Sequence, residues 1–374
     1  MPASHAHELH AAGQSIWLDY IDRAMLADGE LARRIATDAL TGMTSNPTIF
    51  EKALAQGTAY DAQLRDVAGD RTAWALFELV ATDDVRAACD LFRGVYDATA
   101  GADGFVSIEV SPGAARDVEA TVAEAHRLWA TVNRPNVMIK VPGTREGEVA
   151  LRRLIAAGVN VNVTLLFSVA THARIIDAYC AGLEDRAKAG GDVSRVASVA
   201  SFFVSRVDTE VDKRLQKIGT PEARRLMGEA AVANAKLAYA LFRERFSGPR
   251  WGALAAKGAR VQRPLWASTG TKSQDYSDVK YVETLIGPDT VNTLPPATLA
   301  AFQDHGRVAR TVDRDLPAAR DTFTALAAAG VDLTDVTDQL LVEGLASFQK
   351  SFDGVIAGLE AKARTLGRAV AASR

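Results

Sequence analysis

One lysine stands where a nucleophile would be expected, at the end of a strongly apolar segment. Lys140 lies between the apolar residues 137–139 and 141–142. Burial disfavours the charged ammonium, and the neutral amine is the form that attacks a ketone to give a Schiff base. A structural ion pair with Glu109 or Asp19 explains the same position equally well. The local sequence therefore leaves a catalytic and a structural role open for this lysine.

Glu109 and Asp19 are the carboxylates available for proton transfer beside that lysine. Schiff-base chemistry needs proton transfers when the carbinolamine forms and dehydrates, and again when a C–C bond breaks or forms. One carboxylate acting through a water and one acting on a substrate hydroxyl would meet these needs. The alternative for either carboxylate is to balance the charge of Lys140.

Two asparagines have the chemistry to hold the hydroxyl groups of a sugar, because an amide is both donor and acceptor. The alternative for Asn46 and Asn162 is a turn or a cap, and Asn46 fits a turn because it precedes Pro47. Both asparagines end apolar segments, where a buried polar group is unfavourable unless it is paired. The residues in such positions are Asp19, Asn46, Glu109, Lys140, Asn162, Thr164 and Ser201.

The segment from Ser201 to Arg206 has the composition of a phosphate site. It puts a hydroxyl and a guanidinium at the predicted start of a helix, where backbone N–H groups favour an anion. The alternative for Arg206 is an ion pair with Asp208 or Glu210.

A second segment, residues 268–273, follows the seventh apolar run and supplies small residues, hydroxyls and an ammonium. Ser268 and Lys272 are its candidate ligands. Phosphate sites of α/β barrels commonly lie near the last two strands, so both segments predict binding of a phosphorylated substrate.

The composition predicts a globular protein without nucleic-acid or membrane partners. The chain has 374 residues, of which 48% are hydrophobic, and a formal net charge of −3. This charge provides no basic field for nucleic acid or anionic lipid. No apolar run reaches the roughly 18 residues of a membrane span, and the start of the chain is polar. We expect a cytoplasmic protein, and both a monomer and a homodimer remain open.

Eight short apolar runs alternate with helix-period segments, which predicts the elements that must position these residues. Near-continuous apolar runs are typical of strands covered on both faces. Strand–helix order repeated eight times predicts an α/β fold of the (β/α)₈ TIM-barrel type, with an open doubly wound sheet as the alternative. The runs are Ser15–Tyr20, Gly42–Thr44, Gly104–Val110, Asn136–Val141, Val159–Thr164, Val196–Ser201, Pro264–Ser268 and Asp289–Thr293. Helix-period segments include Arg116–Thr131, Arg145–Ala156, Val169–Lys188 and Glu210–Arg245.

Two regions depart from this alternation. Pro47–Thr99 predicts extra helices after the second strand, and Asp315–Arg374 predicts a helical, alanine-rich extension. The extension either packs on the barrel wall or covers one end. No linker rich in Pro, Gly or Ser separates these parts, so we expect residues 1–374 to form a single domain.

Several of the segments resemble the transaldolase family. Residues 44–50 (TSNPTIF) resemble its TNP-type signature, and residues 107–110 (SIEV) resemble its acid–base strand. Residues 136–144 (NVMIKVPGT) resemble its Schiff-base strand, and residues 160–168 (NVNVTLLFS) resemble its fifth strand. The similarity covers about residues 15–302 in the same order. The length and the helical C-terminus resemble the longer bacterial branch.

The resemblance implies a role for each matching position. Lys140 matches the Schiff-base lysine. Glu109 matches the glutamate that works through a catalytic water, and Thr164 matches the residue that helps to hold that water. Asp19 matches the aspartate that exchanges a proton with the substrate hydroxyl. The matching substrate ligands are Asn46 and Asn162 for hydroxyl groups, Ser201 and Arg206 for phosphate, and Phe203 between the last two.

The seventh strand departs from the best-known branch of the family, where a second arginine binds phosphate two residues after a serine. Ser268 matches that serine, but Gly270 occupies the arginine position and Lys272 is the nearest cation. Lys272 is the expected substitute, although an ammonium lacks the bidentate fork of a guanidinium.

The resemblance implies transfer of a dihydroxyacetone unit from sedoheptulose 7-phosphate to glyceraldehyde 3-phosphate, as in the pentose phosphate pathway. The products are erythrose 4-phosphate and fructose 6-phosphate, and no metal or organic cofactor is needed. One alternative is a fructose 6-phosphate aldolase on the same scaffold, which releases dihydroxyacetone. Another is a non-catalytic barrel that binds sugar phosphates, against which the intact Lys140, Glu109 and Asp19 argue.

Overall fold

A computed structural model describes residues 4–55, 58–67 and 71–366, with the backbone alone described at 52–55. The strands form one closed barrel, each paired in parallel with the next along the chain and the last with the first. This confirms the predicted (β/α)₈ barrel and excludes the open doubly wound sheet. The strands are β1 (Gln14–Asp19), β2 (Leu40–Thr44), β3 (Phe105–Glu109), β4 (Val137–Pro142), β5 (Val161–Leu166), β6 (Ser198–Phe203), β7 (Arg263–Ala267) and β8 (Thr290–Leu294).

Helices surround the barrel and occupy the described parts of both predicted extra regions. Residues 56–57, 68–70 and 367–374 of these regions lie outside the described residues. Four helices, α4 to α7, lie between β2 and β3, and two, α17 and α18, follow the barrel. The helices of the described residues are α1 (His5–Ala11), α2 (Arg23–Ala27), α3 (Glu30–Thr37), α4 (Pro47–Ala55), α5 (Asp61–Val67), α6 (Ala73–Leu91), α7 (Arg93–Ala98), α8 (Val118–Val132), α9 (Arg145–Ala157), α10 (Val169–Lys188), α11 (Ser205–Ile218), α12 (Pro221–Arg225), α13 (Ala230–Arg245), α14 (Pro249–Ala255), α15 (Lys280–Glu283), α16 (Pro296–His305), α17 (Leu316–Ala328) and α18 (Leu333–Thr365).

Local backbone geometry explains where the predicted bounds were wrong. Gly104, Ser268 and Asp289 were predicted to lie within strands, but each has a positive φ and lies just outside one. A residue with positive φ leaves the extended conformation, so it cannot continue a ladder. The predicted helical segment Glu210–Arg245 is interrupted by left-handed glycines, including Gly219, and forms parts of three helices.

Side chains pack on both faces of the strands, as their continuous apolar runs require. Inside the barrel, Trp17, Met138 and Leu265 are fully or almost fully buried in one cluster. Gly42 makes room for this filling, because a Cβ there would lie 2.5 Å from the Trp17 indole nitrogen. The larger cluster lies between the strands and the surrounding helices.

The strand register brings the predicted site residues to the carboxyl end of the barrel. Glu109 pairs with Lys140, and Lys140 pairs with Asn162 on the next strand. Asp19 pairs with Thr44 on the other side. In parallel barrels this end carries the active site, so the predicted polar residues lie where chemistry is normally located.

The C-terminal extension packs on the barrel wall and also covers one end of the barrel, the two positions that were predicted as alternatives. Helix α17 packs on α13 at the barrel wall, whereas α18 packs against α4, α6 and α11. Gly344 of α18 lies over the end of β5, where a Cβ would be 3.0 Å from a methyl group of Leu165. Helix α18 therefore crosses the carboxyl end of the barrel. Within the described residues, no helix combines the length and apolar character needed to cross a membrane.

Candidate active site

Lys140 projects from β4 into a buried polar cluster and is 7% exposed. Its Nζ donates to Glu109 Oε2 at 3.1 Å and to the backbone carbonyl of Ser45 at 3.1 Å. The ion pair with Glu109, predicted as a structural alternative, is therefore present. It lies at the carboxyl end of the barrel, so it also places the amine beside a proton acceptor.

The Glu109 carboxyl has a pKa above its ordinary value. Burial raises the pKa by penalising the carboxylate, whereas the charge and hydrogen bond of Lys140 oppose this rise. The nearby negative charge of Asp19 raises the pKa further. A carboxyl balanced between burial and a cation can accept and return a proton during a reaction.

Asp19 is held at the end of β1 by a chain of threonine hydroxyls. Thr44 Oγ1 lies 2.9 Å from Asp19 Oδ1 and 2.7 Å from Thr293 Oγ1. Burial raises the pKa of Asp19, opposed by the charge of Lys140, the Thr44 hydrogen bond and the charge of Lys272. Thr44 and Thr293 were not predicted as site residues, although each ends a predicted apolar run, which is the signal that identified the others.

Asn162 and Ser201 form a hydrogen-bonded chain across neighbouring strands. The fully buried Asn162 donates to Ser107 Oγ at 3.1 Å and accepts from Ser201 Oγ at 2.7 Å. These bonds fix the orientation of the Asn162 amide. Ser201 lies deep among the strand side chains, beside Asn162, rather than at the start of α11.

Asn46 and Thr164 each keep polar atoms available. Asn46 Oδ1 caps α4 by accepting from the Ile49 backbone N–H at 3.0 Å, which confirms the predicted cap. Its amide nitrogen makes no hydrogen bond to the described residues. The Thr164 side chain, buried on β5, likewise makes no hydrogen bond within the described part of the chain.

Arg206 is the second residue of α11, and its guanidinium lies 5.5 Å from the centre of the Phe203 ring. Among the described residues it makes no ion pair or hydrogen bond, so the alternative of an ion pair with Asp208 or Glu210 is wrong. Asp208 instead accepts from the Tyr281 hydroxyl at 2.8 Å, and Glu210 pairs with another arginine. Burial lowers the pKa of Arg206, and the negative charge of Glu343 opposes this effect.

A second cluster at the start of α11 is formed by Phe203, Ser205, Arg206 and Ser268. Ser205 and Ser268 have their hydroxyl oxygens 3.0 Å apart, and the Ser205 N–H donates to the Ser268 carbonyl. Ser205 was not predicted, because its role depends on the approach of the loop after β7. Lys272 lies exposed on that loop, and its positive charge acts to lower the pKa of Asp19.

Comparison with known proteins gives consistent results over almost the whole chain. The profile of the family described as "Transaldolase/Fructose-6-phosphate aldolase" matches residues 16–359. The transaldolase of Frankia alni is 51% identical over 364 residues, covering 96% of this chain and 97% of the relative. The transaldolase of Thermobifida fusca is 52% identical over 356 residues, covering 94% and 96%. The transaldolase of Acidothermus cellulolyticus is 53% identical over 365 residues, covering 97% of each chain.

Proposed function

Because the chain belongs to the transaldolase/fructose-6-phosphate aldolase family, we propose that Lys140 is the Schiff-base lysine of its reaction. The chain is an enzyme with transaldolase function. The observation that supports the role of Lys140 is its buried amine, 3.1 Å from the Glu109 carboxyl at the carboxyl end of the barrel. An amine in this position can attack a ketone while the carboxyl handles the protons.

The reaction transfers dihydroxyacetone from sedoheptulose 7-phosphate to glyceraldehyde 3-phosphate. The amine adds to the ketone, and loss of water gives an iminium ion. Cleavage of the C3–C4 bond sends its electron pair into the iminium, which leaves an enamine on Lys140 and releases erythrose 4-phosphate. The enamine then attacks the acceptor aldehyde, and hydrolysis releases fructose 6-phosphate and the free lysine.

Glu109 and Asp19 carry the protons in this proposal, and Thr164 helps to position a water. Glu109 acts through a water that the free Thr164 hydroxyl helps to hold, and it serves carbinolamine formation and dehydration. Asp19 takes the proton from the substrate hydroxyl as the C–C bond breaks and returns it as the new bond forms. Thr44 orients Asp19 through the 2.9 Å hydrogen bond.

The asparagines and the second cluster bind the substrate. Asn46 offers its free amide N–H groups to a sugar hydroxyl, and Asn162 offers an amide whose orientation is fixed. Ser201 acts by fixing Asn162 and by contacting the substrate chain. The proposed phosphate ligands are Arg206, Ser268 and Lys272, with Phe203 packing below the guanidinium.

The helical extension is part of the same unit in this proposal, so residues 1–374 form one domain. Helices α17 and α18 pack on barrel helices. A cytoplasmic location agrees with substrates that carry phosphate charges and with the free, buried Cys89 and Cys180.

Borohydride trapping tests the proposed function directly. The protein is incubated with fructose 6-phosphate, reduced, digested and analysed by peptide mass spectrometry. We expect a dihydroxyacetone-sized adduct on Lys140 that disappears when erythrose 4-phosphate is added before reduction. Absence of an adduct on any lysine would refute the Schiff-base mechanism. An adduct that decays without an acceptor while free dihydroxyacetone accumulates would indicate an aldolase.

Replacing Arg206 with alanine is expected to weaken the use of phosphorylated substrates. Charge-assisted hydrogen bonds contribute about 1.5–3 kcal/mol, so KM for fructose 6-phosphate should rise by about 10- to 100-fold. Lys272→Ala should raise KM less, because Lys272 is exposed and its charge is screened.

Steady-state kinetics with fructose 6-phosphate and with unphosphorylated fructose provide the measurement. The preference for the phosphorylated donor should fall in Arg206→Ala and remain unchanged in Lys213→Ala, which removes an exposed cation from the same helix. An unchanged preference in Arg206→Ala would exclude this arginine as a phosphate ligand.

A further inference from the structure

Phe352 of α18 separates a buried pocket from an open groove at the carboxyl end of the barrel. The inner pocket is lined by Ser45, Asn46, Phe77 and Glu109, with Phe352 and Ser111 at its border. The outer groove is lined by Phe352 and Ser111 again, together with Trp74, Gln349, Ile356 and Glu360. The same aromatic ring therefore faces bulk solvent on one side and the carboxyl partner of Lys140 on the other.

Aromatic packing holds this ring in place. The Phe352 ring centre lies 5.0 Å from that of Trp74 and 5.6 Å from that of Phe77, which it meets edge to face. Phe77 in turn meets Phe50 edge to face at 5.6 Å. Such pairs stabilise one ring orientation beyond the area they bury. The four rings form an apolar wall between the outer groove and the inner pocket.

Polar contacts hold α18 in place along its length. Before Phe352, Arg214 of α11 donates to Gln339 at 2.7 Å and pairs with Asp335 at 2.6 Å. Next to Phe352, the hydroxyl groups of Ser351 and Thr48 are 2.7 Å apart. The helix is thus attached to α11 and α4, which both begin directly after barrel strands.

We propose that Phe352 is a plug that keeps bulk water from the enamine and so determines how the enamine is divided between transfer and release. The inference rests on the proposed function, because the enamine exists only if Lys140 forms a Schiff base. Phe352 is a positioning residue in this scheme, since it acts by limiting the water that reaches the Glu109 side of the site.

The competing reaction consumes one water, because the proton taken up at C3 is returned when the iminium ion is hydrolysed. Proton transfer from Glu109 or water to C3 of the enamine forms a C–H bond and regenerates the iminium ion. Water then adds to the iminium carbon, the C–N bond breaks, and dihydroxyacetone and the lysine amine are released. Hydrolysis also ends the transfer reaction, so the two reactions differ at the enamine. Release needs a proton delivered to C3 directly or through water, whereas transfer needs the acceptor aldehyde at the same carbon. An apolar plug beside Glu109 therefore favours transfer.

The experiment measures both products in one mixture. Each variant is supplied with fructose 6-phosphate and erythrose 4-phosphate, and the ratio of free dihydroxyacetone to sedoheptulose 7-phosphate is determined by chromatography. The ratio should rise by about tenfold in Phe352→Ala, because opening the pocket admits water. Phe352→Leu keeps apolar bulk against Trp74 and Phe77, so its ratio should lie between those of wild type and Phe352→Ala.

Leu326→Ala is the matched control for lost stability. It removes fully buried apolar bulk from α17, which packs chiefly on α13 and lines neither the inner pocket nor the outer groove. It should lower Tm while leaving the product ratio unchanged. If Phe352→Ala does not fold, the product ratio of Phe352→Leu tests the inference in its place. An unchanged ratio in a folded Phe352 variant would overturn the inference, provided that wild type forms the Lys140 adduct; absence of the adduct in wild type would refute the proposed function instead.

Discussion

Replacing Lys140 with methionine is expected to abolish transaldolase activity and the trapped adduct together. The methionine side chain has a length similar to that of lysine and suits a buried site, but it has no amine, so no carbinolamine can form. Loss of a covalent nucleophile typically lowers kcat by about four to six orders of magnitude. Asp19, Asn162 and Arg206 remain in place, so binding of a sugar phosphate should persist.

The measurement combines steady-state rates, borohydride trapping and equilibrium binding of fructose 6-phosphate. Lys140→Arg is the informative companion variant, because it keeps a cation beside Glu109 while offering a guanidinium that does not act as a nucleophile. Lys217→Met removes an exposed lysine from α11 and should leave the rate unchanged. A Lys140→Met protein that retained substantial activity, or an adduct on another lysine, would contradict the assignment.

Both Lys140 variants also test the structural alternative. A lysine that only balanced the charge of Glu109 would be replaceable by arginine with little change in rate. A lysine that forms a Schiff base would not. The ion pair is present in the structure at 3.1 Å, so geometry alone is consistent with both a structural and a catalytic role for Lys140. Comparison of the arginine and methionine variants distinguishes these roles.

The sequence predicted which polar residues of single strands lie together at one end of the barrel. Polar residues that end apolar runs identified Asp19, Glu109, Lys140 and Asn162, because strand ends of a parallel barrel meet at one edge. Their convergence follows from the register, which pairs Glu109 with Lys140 and Lys140 with Asn162. Local patterns were sufficient here because the barrel repeats the same geometry at every strand.

The sequence did not predict contacts made between distant segments. The pairing of Ser205 with Ser268 depends on the approach of two loops, and the position of Phe352 depends on where a long helix lies across the barrel. Neither is encoded by a local pattern, because helix periodicity gives an apolar face without saying what covers it. The ion pair given as the alternative for Arg206 was wrong for the same reason, since Asp208 and Glu210 have other partners.

Glu109→Gln is expected to lower kcat by about 10²- to 10⁴-fold, the range attributed to one general acid–base group. An amide has nearly the shape of a carboxyl but neither accepts nor returns a proton near neutral pH. The fold and the apolar wall around Phe352 should remain, so sugar-phosphate binding should persist. The rate of adduct formation in a single-turnover trapping experiment should fall with kcat.

The pH dependence gives this prediction its sharper test. Burial raises the pKa of both Glu109 and Asp19, so each takes up a proton at a higher pH than an ordinary carboxyl. The ionised forms are the proton acceptors, so the wild-type rate should be present above these raised pKa values and fall as pH decreases through them. Glu109→Gln removes one of the two titrations, and the acid limb of log kcat against pH should change from a slope approaching two to a slope of one. An unchanged limb with an unchanged rate would show that Glu109 does not carry the proton and that its pairing with Lys140 is structural.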